Sequence, residues 1–511
     1  VWEVRELSQN GEELDTPLVL KDSWVDSTRT READVLRAIR EASDSEKPEL
    51  SKYYRTIIDA SLFNTANYGD VKVCGETDDT VTVIRRGLDL QQFKKTLAIK
   101  AEPLAHKTII SRMPPVGMAP PPDKKQPSGL QYSAKVHHRV VFKEVGIRTT
   151  EVESLAKVFG YLCDVVIGLE ALHALKWVHR DISIGNILVA EGVGMITDVE
   201  YAKSEDATTQ HGMRTGTLFF MAVEVDEGRY LYRPVDTQET PEPSEDTKLA
   251  SVMAIADFMV RKRQAGKGES ELPGDPEPDV PPAIDLPEIS CTEEFFRHNP
   301  LHDLESVFWV ALWLVLCSEF VKNDPTKTDE QWAGYMVAHG NFAADLFCDF
   351  NIRKDVMTSS SQYFLSHITN LLPQVQEILL LLNRVRTILI TRYLKKEATL
   401  RTPNHQLDFS VAENLHPMIC DVFRRIKANL EAKDLRVVIK QEDSIPVKLV
   451  KKRLRNKVEN ATTANEARTS SRAVAEDLPE PNRQLELGAD SESQQAHPLA
   501  DRLFAQPWQH Q

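Results

Sequence analysis

The sequence lacks a cationic start followed by an apolar run, lacks paired cysteines, and lacks any apolar stretch long enough for a bilayer. Each absence excludes a class of protein. Val1-Trp2-Glu3-Val4-Arg5 carries none of the marks of a secretory signal, nor does the chain begin with methionine. The six cysteines (Cys74, Cys163, Cys291, Cys317, Cys348, Cys420) lie far apart, without the spacing of zinc sites or disulfide frameworks. They read as reduced thiols of an intracellular protein, cytoplasmic or nuclear. The longest apolar run, Val307 to Cys317, falls short of the about 20 residues that cross a membrane, and it follows Asp303 and Glu305. It reads as a buried helix of a soluble protein, which removes a membrane from the expected partners. Basic charge is also in deficit. The 62 Lys and Arg against 77 Asp and Glu give a net charge of −15, which repels a phosphate backbone and argues against nucleic acid as a partner.

What is present is enough for a large core. At 511 residues and 41% apolar content, the length suggests about two to four structural units. Leu18-Val19-Leu20-Lys21 reads as a strand ending in a lysine, and residues 31–40 place Ala33, Leu36 and Ile39 at helical spacing beside Glu32. Residues 107–132 hold Met113-Pro114-Pro115 and Pro120-Pro121-Pro122, which mark a loop insertion. Val140-Val141-Phe142 resumes as a strand and stops at Lys143-Glu144-Val145-Gly146. The strongest helical pattern follows, with Leu155, Val158, Phe159, Leu162, Val165, Val166, Leu169 and Leu172 in three- and four-residue steps. From 233 to 288 Pro, Glu and Asp dominate, with a short apolar interruption from Leu249 to Val260, and a flexible insertion is expected. Helical patterns return near His302 and continue to about residue 430; the polar remainder is expected to be mostly disordered.

The chemistry concentrates in Trp177-Val178-His179-Arg180-Asp181-Ile182-Ser183-Ile184-Gly185-Asn186-Ile187-Leu188-Val189. A lone His-Arg-Asp triplet is a weak motif. Here a carboxylate is followed by an amide after four intervening residues and at once by a strand, the arrangement phosphoryl transfer requires. Asp181 would orient or accept the proton of an attacking hydroxyl, and Asn186 would offer an amide oxygen to magnesium, which favours hard oxygen ligands. The strand Ile187-Leu188-Val189 turns through residues 190–194 into Met195-Ile196-Thr197, returning a second carboxylate, Asp198, toward the same place. His137-His138 is a weaker feature, because neighbours on a strand point to opposite faces. Lys451-Lys452-Arg453-Leu454-Arg455 reads as a solvated charge run in preference to an import or anion-binding patch.

The run from His138 to Lys203 resembles the fungal-type protein kinase family, a divergent branch of the protein-kinase fold. His179-Arg180-Asp181-Ile182-Ser183 with Gly185-Asn186-Ile187 is similar to its catalytic loop, and Gly216-Thr217 leading to Phe220-Met221-Ala222 and Glu224 to its activation-segment end. His302-Asp303-Leu304-Glu305-Ser306 before Phe308-Trp309-Val310 resembles its buried helix. Val19-Leu20-Lys21-Asp22-Ser23-Trp24, Glu32, and Asp79-Thr80 with Ile84-Arg85 match further stretches, so the likeness spans about residues 16 to 325.

The resemblance implies an α+β, bilobal protein-kinase-like fold. Its small β-rich N-lobe would occupy residues 1–145, its larger helical C-lobe 146–430, and a mostly disordered polar tail 431–511. It also implies ATP and Mg2+ as cofactors, with Asp181, Arg180 and Asn186 as the catalytic set and Asn186 and Asp198 as metal ligands. Lys21, positioned by an ion pair with Glu32, would bind the α- and β-phosphates. The backbone of Glu144-Val145-Gly146 would hold adenine, and Asp303 would brace the catalytic loop, a helix N-cap being its alternative role. The expected activity is transfer to Ser or Thr hydroxyls of protein substrates; the alternatives are a pseudokinase binding module and a small-molecule kinase. Several positions depart from the usual kinase pattern. Val199-Glu200 follow Asp198 where Phe-Gly is usual, Ser183 stands where many kinases have lysine, and Val223 precedes Glu224. Thr215 and Thr217 are hydroxyls that could accept an activating phosphate. No glycine-rich loop precedes Lys21, and the sequence reads as truncated at its N-terminus.

Overall fold

Alternation of apolar and polar residues at the start of the chain produces a hairpin. β1 (Trp2–Leu7) pairs antiparallel with β2 (Glu13–Asp26), in a register that sets Trp2 opposite Leu20 and Val4 opposite Leu18. The turn is closed by Ser8 N–H to Glu12 O at 2.7 Å and Gly11 N–H to Ser8 O at 2.9 Å. The computed structural model describes residues 1–44, 48–73, 76–78, 134–205, 216–232, 296–322, 324–400, 409–432, 436–438 and 444–457. Its architecture is α+β, with sheets concentrated in the N-terminal part and helices after. The largest sheet has the order β1-β2-β6-β3, where β3 is Thr65–Asp70 and β6 is Lys135–Phe142. A two-residue ladder joins β4 (Lys72–Val73) to β5 (Glu76–Thr77). The expected insertions at 107–132 and 233–288 lie outside the described residues.

Two compact units are distinguished, the first comprising Val1–Asp22, Thr30–Gly69 and Arg139–Val450. Within it, α1 (Glu32–Asp44) buries Ala33, Val35, Leu36 and Ile39, the stripe its spacing predicts. It is tied to α2 (Pro48–Ser61) through Asp59, whose two oxygens take Arg40 Nε at 2.8 Å and Arg55 Nε at 2.9 Å. Arg40 reaches across from α1, while Arg55 lies one turn before Asp59 on α2 and orients the same carboxylate. In the second unit (Ser23–Arg29, Asp70–His138, Lys451–Gln511) the adjacent histidines do diverge. His137 Nδ1 lies 3.0 Å from Asp78 and its ring stacks on Trp24, whereas His138 Nδ1 lies 2.8 Å from Asp70. Among the described residues, no group of three or more His, Cys, Asp and Glu side chains could hold a metal.

α3 (Leu155–Ala174) starts at Ser154, whose hydroxyl accepts from Lys157 N–H, and packs against α2, β10, α5 and α10, defined below. A helix apolar on nearly every face must be enclosed, and this one is. α5 (Pro300–Leu316) is buried at every residue; it is capped by Asn299, with Pro300 at the first position and His302 completing the box. No helix among the described residues is long and apolar enough to cross a membrane. β7 (Ile147–Arg148) precedes α3, and between α3 and α5 run β8 (Trp177–Val178), β9 (Ile187–Ala190), β10 (Val193–Ile196), β11 (Lys203–Ser204) and the short α4 (Val223–Glu227). β8 pairs with β11, and β7 and β10 flank β9.

The later helices are α6 (Asp329–Cys348), α7 (Phe350–Thr358), α8 (Ser361–Ile368), α9 (Pro373–Leu400) and α10 (Leu415–Ala432). β12 (Glu319–Phe320) pairs with β13 (Val437–Val438), so residues past 430 still build structure. Residues 445–457 are helical, with Val447 and Val450 buried and Ser444 donating to Cys317 O at 3.0 Å. This helix stands at the head of the stretch expected to be a polar tail. Its apolar positions, Ile445, Pro446, Val447, Leu449, Val450 and Leu454, open on a proline and stand among Lys448, Lys451, Lys452 and Arg453, so they do not stand out by period alone.

Burial gives this core a signed pH response. It pushes His339 down to about 4 and His302 down to about 4, and lifts Glu170 up to about 7. Below the unfolded histidine pKa of about 6.5 the unfolded chain takes protons that both folded imidazoles refuse, so stability falls as pH drops from about 6.5 toward 4. Glu170 acts in the opposite sense, adding stability as pH drops through 7, and offsets about one of the two histidines. His339 Nε2 accepts from Leu372 N–H at 3.2 Å. His339→Gln retains an acceptor without a titration, and is expected to remove about 2–3 kcal/mol of the stability lost between pH 7 and 4.5. Denaturant melts of both proteins at the two pH values measure this; equal losses would contradict it.

Candidate active site

α3 ends at Leu175, and Lys176 (φ 64°) turns the chain into β8, which delivers His179-Arg180-Asp181. Arg180 sits in the left-handed region at φ 73°, a strained backbone for a residue with a Cβ. The strain is held by Asp303 of α5, which accepts from His179 N–H at 2.7 Å and Arg180 N–H at 2.9 Å. A further bond links its Oδ2 to His173 Nε2 at 3.1 Å. Burial works to raise this carboxyl, but the His173 hydrogen bond and the charges of the surrounding histidines outweigh it and hold it well below the usual range. Asp303 is therefore not the N-cap of its helix, a position taken by Asn299.

Asp181 Oδ1 accepts from both Thr217 N–H at 2.9 Å and Thr217 Oγ1 at 3.0 Å, so the loop carboxylate is fixed by the segment 36 residues further on. Burial raises its pKa, while His179 and the Thr217 bonds pull the other way. Asn186 Nδ2 donates to Asp181 O at 2.9 Å, which spends the amide nitrogen and leaves the amide oxygen to a metal. β9 and β10 pair in the register Ile187 to Ile196, Leu188 to Met195, Val189 to Gly194 and Ala190 to Val193. Their turn is only Glu191-Gly192, at φ 52° and 76°, tighter than the five-residue turn read from sequence. Two positive φ values in succession are the requirement of such a turn, and a glycine supplies one of them. Thr197 N–H then bonds Asn186 O at 3.0 Å, setting Asn186 and Asp198 at the base of one hairpin.

Asp198 is itself left-handed, at φ 62° and ψ 59°. Its Oδ1 lies 3.1 Å from Lys21 Nζ, and the same ammonium lies 2.7 Å from Glu32 Oε2. Three elements, β2, α1 and the hairpin, thus meet at Lys21. Burial lowers the lysine's pKa, but Glu32 and Asp198 outweigh it and hold it above the ordinary value. The carboxyl of Glu32 is lifted by burial despite its lysine.

At the end of β6, Glu144 is buried and its side chain turns inward, accepting from Asn64 N–H and Asn64 Nδ2 at 2.8 Å each. Gly146 packs where a Cβ would lie 2.9 Å from Leu188 Cβ and from Phe63 Cζ, so the strand end closes directly on β9.

The segment after Asp198 returns at Gly216. Thr215 lies outside the described residues, as do Asp79-Thr80 and Ile84-Arg85. Phe219 stacks on Trp313 at 5.7 Å, and Arg353 of α7 donates to Phe219 O at 2.7 Å. Val223 N–H bonds Glu305 Oε1 at 2.8 Å, while Glu224 accepts from Leu231 N–H at 2.7 Å and meets His302 Nε2 at 3.0 Å. From sequence, Glu305 and His302 stand only as members of the buried-helix motif, and the Thr217 hydroxyl as a group that orders its segment; its grip on Asp181 is the specific contact. The available signal was Glu305 itself, a charge two residues before the apolar run Val307 to Cys317.

The amide oxygen of Asn186 and the carboxylate of Asp198 are hard oxygen donors of the kind Mg2+ takes. Their donor chemistry fits that ion. Residues 1–315 match the family model described as fungal protein kinase. No curated protein matches the chain.

Proposed function

The chain belongs to the fungal protein kinase family, and from that membership we propose that it transfers the γ-phosphate of ATP to Ser or Thr hydroxyls of proteins. The observation that carries the proposal is the meeting of Lys21 with both Glu32 and Asp198, at 2.7 and 3.1 Å. A lysine at the convergence of three elements, next to a hard-oxygen metal set, is the constellation a polyphosphate needs. In this reading the fold is bilobal, and Lys21 binds the α- and β-phosphates once its bond to Asp198 is exchanged for them. Glu32 keeps the ammonium in place. The Glu144-to-Gly146 backbone takes adenine against Leu188.

Mg2+ held by Asn186 and Asp198 would neutralise the charge on the phosphates. The acceptor hydroxyl attacks the γ-phosphorus as the bond to the β–γ bridging oxygen breaks and ADP departs. The hydroxyl proton passes to Asp181. Its Oδ1 is occupied by Thr217, so the proton falls to Oδ2. Burial raises the basicity of this carboxylate, in the direction a general base requires.

Phosphoamino-acid analysis after incubation with labelled ATP, Mg2+ and a mixture of protein acceptors tests the substrate class. Label on phosphoserine and phosphothreonine is expected. Label on tyrosine or on small molecules only would contradict it, and a thermal shift with ATP and Mg2+ but no label would favour a binding module.

A further inference from the structure

The matched family region ends at residue 315, inside α5. Two buried hydrogen-bond lines nevertheless begin on helices beyond it and end on the candidate site. The first starts at His416 of α10, whose Nε2 lies 3.0 Å from His173 Nδ1; His173 Nε2 lies 3.1 Å from Asp303 Oδ2, and Asp303 holds the amides of His179 and Arg180. The second starts at Tyr393 of α9, whose hydroxyl donates to Glu305 Oε2 at 2.7 Å; Glu305 Oε1 takes Val223 N–H at 2.8 Å and Trp309 Nε1 at 3.0 Å. Asp303 and Glu305 are two residues apart on one helix, so a single buried element receives both lines.

We propose that His416 and Tyr393 are positioning residues, the first for the His179-to-Asn186 loop and the second for the Thr217-to-Val225 segment. The physical case rests on what each carboxylate does. Asp303 restrains a strained left-handed Arg180, and a carboxylate can hold two amides in fixed geometry only if its own orientation is fixed. His173 supplies that restraint, and the His416 bond fixes which way the His173 ring faces. Glu305 likewise spends one oxygen on Val223 and Trp309, and the Tyr393 hydroxyl secures the other. Tyr393 is in turn clamped by Tyr232, stacked at 4.8 Å with planes 5° apart. All of these groups are buried, so neither carboxylate has water to replace a lost partner. Burial keeps His416 well below the usual histidine range and therefore neutral, able to give a single N–H to the line.

The effect on catalysis rests on the kinase reading; the effect on backbone order does not. The test therefore combines amide hydrogen exchange on the full chain with steady-state phosphotransfer, for His416→Leu, His416→Gln and Tyr393→Phe. Glutamine places an amide nitrogen where His416 has Nε2, whereas leucine removes the bond. Exchange across residues 178–186 is expected to speed about tenfold in His416→Leu and to return toward wild type in His416→Gln. Exchange across 217–225 is expected to speed in Tyr393→Phe and not in His416→Leu. In phosphotransfer, His416→Leu is expected to lower kcat about tenfold with KM for ATP unchanged, because Lys21 and Glu32 are untouched. Unchanged exchange at 178–186 in folded His416→Leu would overturn the proposal, as would loosening spread evenly over α3, α9 and α10. If the leucine variant does not fold, His416→Asn, whose amide is too short to reach His173, takes its place. A wild-type chain without phosphotransfer would refute the proposed activity and leave the exchange result to decide the positioning.

Discussion

Asp303→Asn is expected to cost about 3 kcal/mol or more and to lower kcat at least about a hundredfold. The carboxylate takes the two amides of His179 and Arg180 and the ring of His173, all in the dry interior. Asparagine supplies one oxygen, so an amide is left facing an N–H it cannot bond. Without its restraint, left-handed Arg180 relaxes and carries neighbouring Asp181 with it, a displacement to which phosphoryl transfer is sensitive. The pH dependence has a definite sign. Because the folded carboxyl is held below its unfolded value of about 3.9, its contribution is complete above that pH and lost only as pH falls further. Denaturant melts of both proteins at pH 7 and pH 3.5 check this, and a gap that stays constant or widens in acid would contradict it.

Lys21→Met is expected to lower kcat/KM about 10²- to 10³-fold by removing the cation that meets the phosphates. Its structural cost should be smaller, about 1–3 kcal/mol, because Lys21 and Asp198 keep 23% and 31% of their side-chain surface exposed. The penalty arises at Glu32, which is only 6% exposed and loses its partner. Its carboxyl, already lifted by burial, would be driven up further, so the variant should lose more stability than wild type as pH rises toward neutrality. Adding Glu32→Gln should restore part of that stability without restoring activity. Fully additive losses in the double variant would show that the two side chains do not act as a pair.

Much of the site was legible because its parts are local. Asp181, Asn186 and Asp198 lie within one loop and one hairpin, and strand pairing with a two-residue turn must bring the last two together. The α3 and α5 helices announced themselves by period and by apolar content, and Lys21 and Glu32 by a strand and helix close in sequence. The restraints were not legible, since they join residues far apart without shared periodicity. His416 and His173 are 243 positions apart, and Tyr393 and Glu305 are 88. A buried polar group must find a partner, but sequence does not say which. The tail showed the same limit, because its apolar residues share one short helix with Lys448, Lys451, Lys452, Arg453 and Arg455, too little pattern to separate it from a solvated run.

The most direct measurement of the central claim is single-turnover transfer of label from ATP with Mg2+, comparing wild type with Asp181→Asn while nucleotide affinity is followed in parallel. The account predicts label on protein hydroxyls from wild type, a loss of about 10²- to 10⁴-fold in the asparagine variant, and ATP binding preserved in both. Equal incorporation by the two proteins would contradict the assignment of Asp181 as the base and with it the catalytic reading of the loop.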